Sequence, residues 1–127
     1  MKREVISTDK APAAVGPYSQ AVRTGDFVFA AGQVAIDPAA GKLIEGDVAA
    51  QTRQALTNLS AVLGAAGSSL DRVVKTTVFL KDINHFKTMN AVYTEFFPSD
   101  PPARSAIEVA ALPLGALVEI EAIAVAG

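Results

Sequence analysis

A long helical pattern constrains this chain more than any other feature. Between Asp47 and Ala66 the apolar residues recur at about every third or fourth position, which is the period of one helix face. Asp47 is a suitable N-cap, and Gly67 is a suitable stop at the other end. The segment predicts an amphipathic helix whose apolar face is formed by Val48, Ala55, Leu56, Leu59, Val62, Leu63 and Ala66.

A second helix and several strands are predicted from the rest of the chain. The helix follows Asp82, its candidate N-cap, ends before Pro98, and has an inner face of Phe86, Met89, Tyr93, Phe96 and Phe97. The predicted strands are Lys2 to Ile6, Ala21 to Thr24, Phe27 to Ala31, Val73 to Leu80, Ala103 to Val109 and Leu117 to Val125. With 127 residues, these elements predict one α+β domain over residues 1–127, with both helices on one face of a mixed sheet.

The other face of that sheet needs a cover. No third helix is predicted, and half of the residues are apolar, with a mean hydropathy of +0.32. A partner subunit, arranged in closed cyclic symmetry, is the natural cover. We therefore expect a homo-oligomer.

Composition excludes several classes of function. The chain has no cysteine, so disulfides, thiolate nucleophiles and cysteine metal sites are absent. Its net charge is −2 and no segment is dominated by Lys and Arg, which makes nucleic acid an unlikely partner. No apolar run is long enough to span a membrane, and the N-terminus lacks a signal-peptide pattern. These features predict a cytoplasmic protein without membrane contact.

The last two strands carry the most informative polar pattern. Alternation places Arg104, Ala106 and Glu108 on one face of the first strand. Glu119 and Glu121 share a face of the second strand with the apolar residues Leu117, Ile123 and Val125. These charges could form ordinary ion pairs on a half-exposed sheet. Alternatively, this mixed face suits a subunit interface.

Arg104 is the strongest candidate for a binding residue. Pro101 and Pro102 fix an extended approach to it, and a guanidinium offers a planar fork of donors to a small carboxylate. His85, the only histidine, would lie in the first turn of the second helix, where a solvated surface role is favoured over metal binding or catalysis. Serine-hydrolase, dinucleotide and P-loop motifs are missing. From pattern alone, Tyr18 and Asn90 could each be hydrogen-bonded residues of the core or of an interface, and Gly32 is a strand glycine that permits close backbone approach.

Several segments, taken together and in order, carry a family resemblance. They are residues 11–21 (APAAVGPYSQA), 31–33 (AGQ), 74–82 (VKTTVFLKD), 89–93 (MNAVY), 102–109 (PARSAIEV), 112–113 (LP) and 118–124 (VEIEAIA). The chain closely resembles the RidA/YjgF family of reactive-intermediate deaminases over nearly its whole length.

The resemblance implies a chorismate-mutase-like fold and a homotrimer with sites between subunits. It also implies cofactor-independent hydrolysis of 2-imino acids, formed from the enamines of pyridoxal-phosphate dehydratases, to 2-oxo acids and ammonia. By position, Arg104 corresponds to the carboxylate-binding arginine and Glu119 to the residue that positions or activates water. Tyr18, Gly32 and Asn90 correspond to residues that line the cleft, and backbone carbonyls near Ala106 could hold the iminium nitrogen.

The chain also departs from the family pattern. Ala106 replaces a common Cys, Ala31 a common Ser, and Ala111 a common basic residue. These changes leave the preferred imino acid open. Two other functions stay under consideration, namely a regulatory member that only binds 2-oxo acids and an endoribonuclease or translation inhibitor.

Overall fold

The structure, a computed structural model, describes residues 1–127 as a single α+β domain. One six-stranded sheet carries two helices, and a two-stranded hairpin (β4 and β5) lies beside it. Neither helix is both long and apolar enough to cross a membrane. The elements are β1 (Arg3–Ile6), β2 (Ala21–Thr24), β3 (Phe27–Gln33), β4 (Ile36–Asp37), β5 (Lys42–Leu43), α1 (Val48–Ala65), β6 (Val73–Leu80), α2 (Phe86–Phe96), β7 (Ala103–Glu108) and β8 (Val118–Val125).

Strand pairing determines which side chains share a face of the sheet. The strand order is β1-β2-β3-β8-β6-β7, and only β6 and β7 run parallel. Thr76 on β6 pairs with Arg104 on β7, while Phe79 on β6 pairs with Glu119 on β8. Paired residues point to the same side and neighbours along a strand to opposite sides. Arg104 and Glu119 therefore lie on opposite faces.

The first helix forms the centre of the core, as its pattern predicts. Leu56, Leu59 and Leu63 have no solvent exposure, and α1 packs on β3 and β8. Burying each such side chain contributes about 1.5–3 kcal/mol. The Asp47 side chain accepts the N–H of Ala50 at 3.0 Å, which confirms the N-cap.

The second helix begins later than the sequence predicts. Asp82 caps a short 3-10 turn, Ile83–His85, by accepting the N–H of Asn84, and α2 starts only at Phe86. The prediction that His85 is a solvated residue of the first helical turn is wrong. His85 precedes the helix and is partly buried, and its Nδ1 atom has no hydrogen-bond partner.

The sheet face opposite the helices is uncovered within the chain. Phe27, Phe29 and Ile107 are 47%, 45% and 46% exposed, and polar side chains such as Lys75 and Glu121 lie among them. Exposed aromatic residues on a flat sheet are typical of a surface that binds another protein. The prediction of an uncovered face is confirmed.

Candidate functional site

Arg104 is held at the start of β7 by residues of α2. Its Nη1 atom donates a hydrogen bond to Asn90 Oδ1 at 2.7 Å. Its guanidinium carbon lies 4.8 Å from the centre of the Tyr93 ring and 5.3 Å from that of Phe86. Both distances are within the range of a cation–π interaction. The charged group is therefore oriented by one amide and two aromatic faces.

An open groove gives access to Arg104. It has a volume of about 580 Å³ and is lined by Asn90, Tyr93, Thr94, Phe97, Pro98, Pro101, Pro102 and Arg104. Ala106 follows on the same face of β7 and packs against the core. The Arg104 side chain donates to no acceptor in the chain other than Asn90, so most of its N–H groups are free to bind a small carboxylate.

Glu119 and Gly32 form a second group on the opposite face of the sheet. The pairing of β3 with β8 shifts between Ala30 and Gln33, and this irregularity places Gly32 beside the Glu119 side chain. A Cβ atom at Gly32 would overlap Glu119 Oε2 and would lie 2.9 Å from its Cδ. Gly32 therefore allows the close approach that its position in a strand predicts.

The environment of Glu119 favours its protonated form. Burial raises the pKa of the Glu119 carboxyl above its ordinary value, and the neighbouring charge of Glu121 raises it further. A carboxylate with a raised pKa is a better proton acceptor when it is ionised. Glu119 is thus suited to take a proton from water.

Tyr18 lies at the end of a loop that borders the second group. It is 51% exposed and, with Gly32, lines a cavity of about 210 Å³. Gln20 is buried behind this loop, and its side-chain amide makes four hydrogen bonds to backbone atoms of Thr8, Ala11 and Pro12. The sequence analysis missed Gln20, although an amide directly after a long irregular loop is a usable signal.

The predicted site residues thus fall into two separate groups. Asn90, Arg104 and Ala106 lie on the helix side of the sheet. Glu119 lies on the opposite side with Gly32 beside it, and Tyr18 lines a cavity together with Gly32. Arg104 and Glu119 lie two strands apart across the sheet and three residues apart along it, which corresponds to roughly 14 Å between their Cα atoms. The reacting atoms of one small substrate are much closer together than 14 Å.

The interpretation of these charges as ion pairs is wrong within the chain. The one salt bridge joins Arg53 to Glu95 at 3.0 Å, between the two helices. The Glu108 carboxylate instead accepts the N–H of Ile83 at 2.9 Å. Arg104 and Glu119 have no charged partner, which leaves both available to a ligand.

The fold and the oriented arginine define an α+β domain with an open groove beside a fixed guanidinium. The chain belongs to the Endoribonuclease L-PSP family, whose sequence model matches residues 8–126. The 2-iminobutanoate/2-iminopropanoate deaminase of Bos taurus is 56% identical over 125 residues, which cover 98% of this chain and 91% of that protein.

Solved structures agree with this assignment. The YjgF gene product of E. coli has a TM-score of 0.92 and 49% identity, covering 96% of this chain and 98% of that one. E. coli TdcF, solved with bound serine, has a TM-score of 0.93 and 44% identity, covering 98% and 99%. The resemblance to the RidA/YjgF family is confirmed.

Proposed function

We propose that this protein hydrolyses small 2-imino acids to 2-oxo acids and ammonia without a cofactor. The observation that carries the proposal is the guanidinium of Arg104, which is fixed by α2 but keeps free N–H groups. Mammalian relatives at 52–56% identity are 2-iminobutanoate/2-iminopropanoate deaminases, and the structure of TdcF contains bound serine. Both facts support an amino-acid-like substrate with a carboxylate. The proposed source of these imines is the enamine released by pyridoxal-phosphate dehydratases.

The chemistry requires orientation, water and one base. Arg104 would bind the substrate carboxylate through two parallel hydrogen bonds, and this fixes the adjacent imine carbon. Glu119 would accept a proton from water as its oxygen attacks that carbon. The resulting carbinolamine would then lose ammonia, leaving the 2-oxo acid. Backbone carbonyls near Ala106 would bind the iminium nitrogen.

We propose further that each site is completed by a second copy of the chain, in a homotrimer. The carboxylate carbon and the imine carbon of the substrate are bonded and lie about 1.5 Å apart. Groups on opposite faces of one sheet cannot both reach them. The uncovered face with Phe27 and Phe29 supports association, since it would expose aromatic surface in a monomer.

The test is to generate 2-iminobutanoate or 2-iminopropanoate with a dehydratase and follow its loss. Wild type should accelerate this loss, and Arg104→Ala should remove most of the acceleration by weakening binding. Glu119→Gln should slow turnover while 2-oxo acid binding persists. Arg53→Ala is the matched control, because Arg53 pairs with Glu95 away from both groups. Equal rates with and without wild-type protein would refute the proposal.

The same variants separate the alternatives. A regulatory binder would bind 2-oxo acids through Arg104 yet leave imine loss unchanged. A ribonuclease would cleave RNA equally well with Arg104→Ala and Glu119→Gln. Sedimentation analysis of the 13.1 kDa chain tests the oligomer directly, because a trimer has three times this mass.

A further inference from the structure

Tyr93 contacts Arg104 without competing for its hydrogen-bond donors. The contact is made by the ring, with the guanidinium carbon 4.8 Å from the ring centre. The single polar atom of the Tyr93 side chain is already engaged, since its hydroxyl lies 2.7 Å from Thr76 Oγ1 in a buried hydrogen bond. The ring therefore supports the positive charge and leaves the N–H groups for a ligand.

Thr76 places that ring from the sheet itself. It pairs directly with Arg104 across β6 and β7, so the two side chains stand next to each other on one face. Thr76 is fully buried, and Tyr93 is 5% exposed and packs against Phe97 in a tilted arrangement, with the ring centres 4.6 Å apart. Breaking the bond between the hydroxyls would leave a buried polar atom without a partner. The hydrogen bond with Thr76 on β6 therefore fixes the orientation of the Tyr93 ring, whereas Arg104 itself lies on β7.

We infer that Tyr93, locked by Thr76, is a positioning residue that sets the affinity of Arg104 for the substrate carboxylate. This inference rests on the proposed function, because it assumes that Arg104 binds a carboxylate. The contact between the ring and the guanidinium is present before the ligand arrives, so it acts on affinity by fixing Arg104 in advance. Fixing one long side chain before binding is equivalent to about 2- to 13-fold in affinity.

The test measures binding of 2-oxobutanoate by calorimetry alongside kcat and KM for imine loss. Tyr93→Leu should raise the dissociation constant and KM about 2- to 13-fold, with a smaller change in kcat. Tyr93→Phe keeps the ring but loses its hydrogen bond to Thr76, so it should raise KM by less than Tyr93→Leu does and by about as much as Thr76→Val. Phe96→Leu is the matched control. Phe96 lies on the same helix, but the guanidinium over its ring is that of Arg53, whose carbon lies 5.9 Å from the ring centre, and not that of Arg104. The control should bind as wild type does.

Several outcomes would overturn the inference. A folded Tyr93→Leu protein with wild-type affinity would show that the ring does not position Arg104. If Tyr93→Leu does not fold, Thr76→Val decides: it keeps the ring but removes its anchor, so an unchanged KM contradicts the inference and a raised KM supports it. Wild type that binds 2-oxobutanoate but does not hydrolyse imines would refute the proposed function alone. Wild type that neither binds 2-oxobutanoate nor hydrolyses imines would overturn both.

Discussion

Gly32→Ala displaces Glu119 without removing any functional group. Gly32 does not need the left-handed conformation, so alanine fits its backbone, and the three atoms nearest to the added Cβ all belong to the Glu119 side chain. That Cβ would lie 2.9 Å from Cδ and 3.0 Å from Cγ, whereas ordinary contact begins at 3.4 Å. The Cδ atom must therefore recede by about 0.5 Å to reach ordinary contact, and Oε2, which lies closer to the added Cβ, must move further or rotate away.

The size of the effect on catalysis follows from this displacement. A misplacement of about 1 Å in a reacting group can reduce the rate about 100-fold, so a reduction in kcat of roughly 10- to 100-fold is expected. This corresponds to about 1.4–2.7 kcal/mol in the activation free energy. KM should change little because Arg104 lies on the other face of the sheet. The free energy of unfolding should fall by only about 1 kcal/mol, since a flexible side-chain end can move.

The assay is imine loss at saturating substrate, with thermal unfolding measured on the same samples. Gly64→Ala is the matched control: Gly64 lies in α1, and a Cβ there would meet nothing within 4 Å. Alanine in a helix should stabilise that variant by roughly 0.5–1 kcal/mol and leave kcat unchanged. A Gly32→Ala protein with wild-type kcat would refute the argument that Glu119 must stay where Gly32 allows it.

Three further predictions concern acidity, the loop and the core. Because burial raises the pKa of Glu119 above its ordinary value, kcat should fall as the pH drops through that raised pKa. Glu119→Gln should lose this acidic limb in a pH–rate profile, and an unchanged limb would assign it to another group. Gln20→Leu should speed hydrogen exchange over residues 8–12 and lower kcat/KM, whereas unchanged exchange would contradict the role of its four hydrogen bonds. Leu59→Ala should reduce the free energy of unfolding by about 2–5 kcal/mol, read from urea midpoints at fixed protein concentration; a loss below 1 kcal/mol would be inconsistent with its full burial.

Elements with strong periodicity are predictable from the sequence. The helix after Asp47 and the strand Val73–Leu80 agree with the structure because their apolar positions match one period throughout. The short hairpin of β4 and β5 was not predicted, since strands of two residues have no period to detect. The start of α2 was misplaced because Asp82 suits a 3-10 turn as well as a helix.

The site is only partly readable from the sequence. Alternation shows which residues of one strand share a face, but the pairing between strands decides whether Arg104 and Glu119 face the same way. Tyr93 was assigned to the apolar inner face of its helix, although its spacing from Phe86 and Asn90 places all three on one side. Cytoplasmic location and trimeric assembly stay predictions.

The separation of the two groups by the thickness of one sheet has a genetic consequence. If neighbouring chains each contribute one group, Arg104→Ala and Glu119→Gln damage different halves of every site. In trimers assembled at random from equal amounts of both chains, about one site in four receives two intact halves. Two alleles that are each inactive alone should therefore complement each other in one cell. If each site lay within a single chain, the same two alleles could not complement each other.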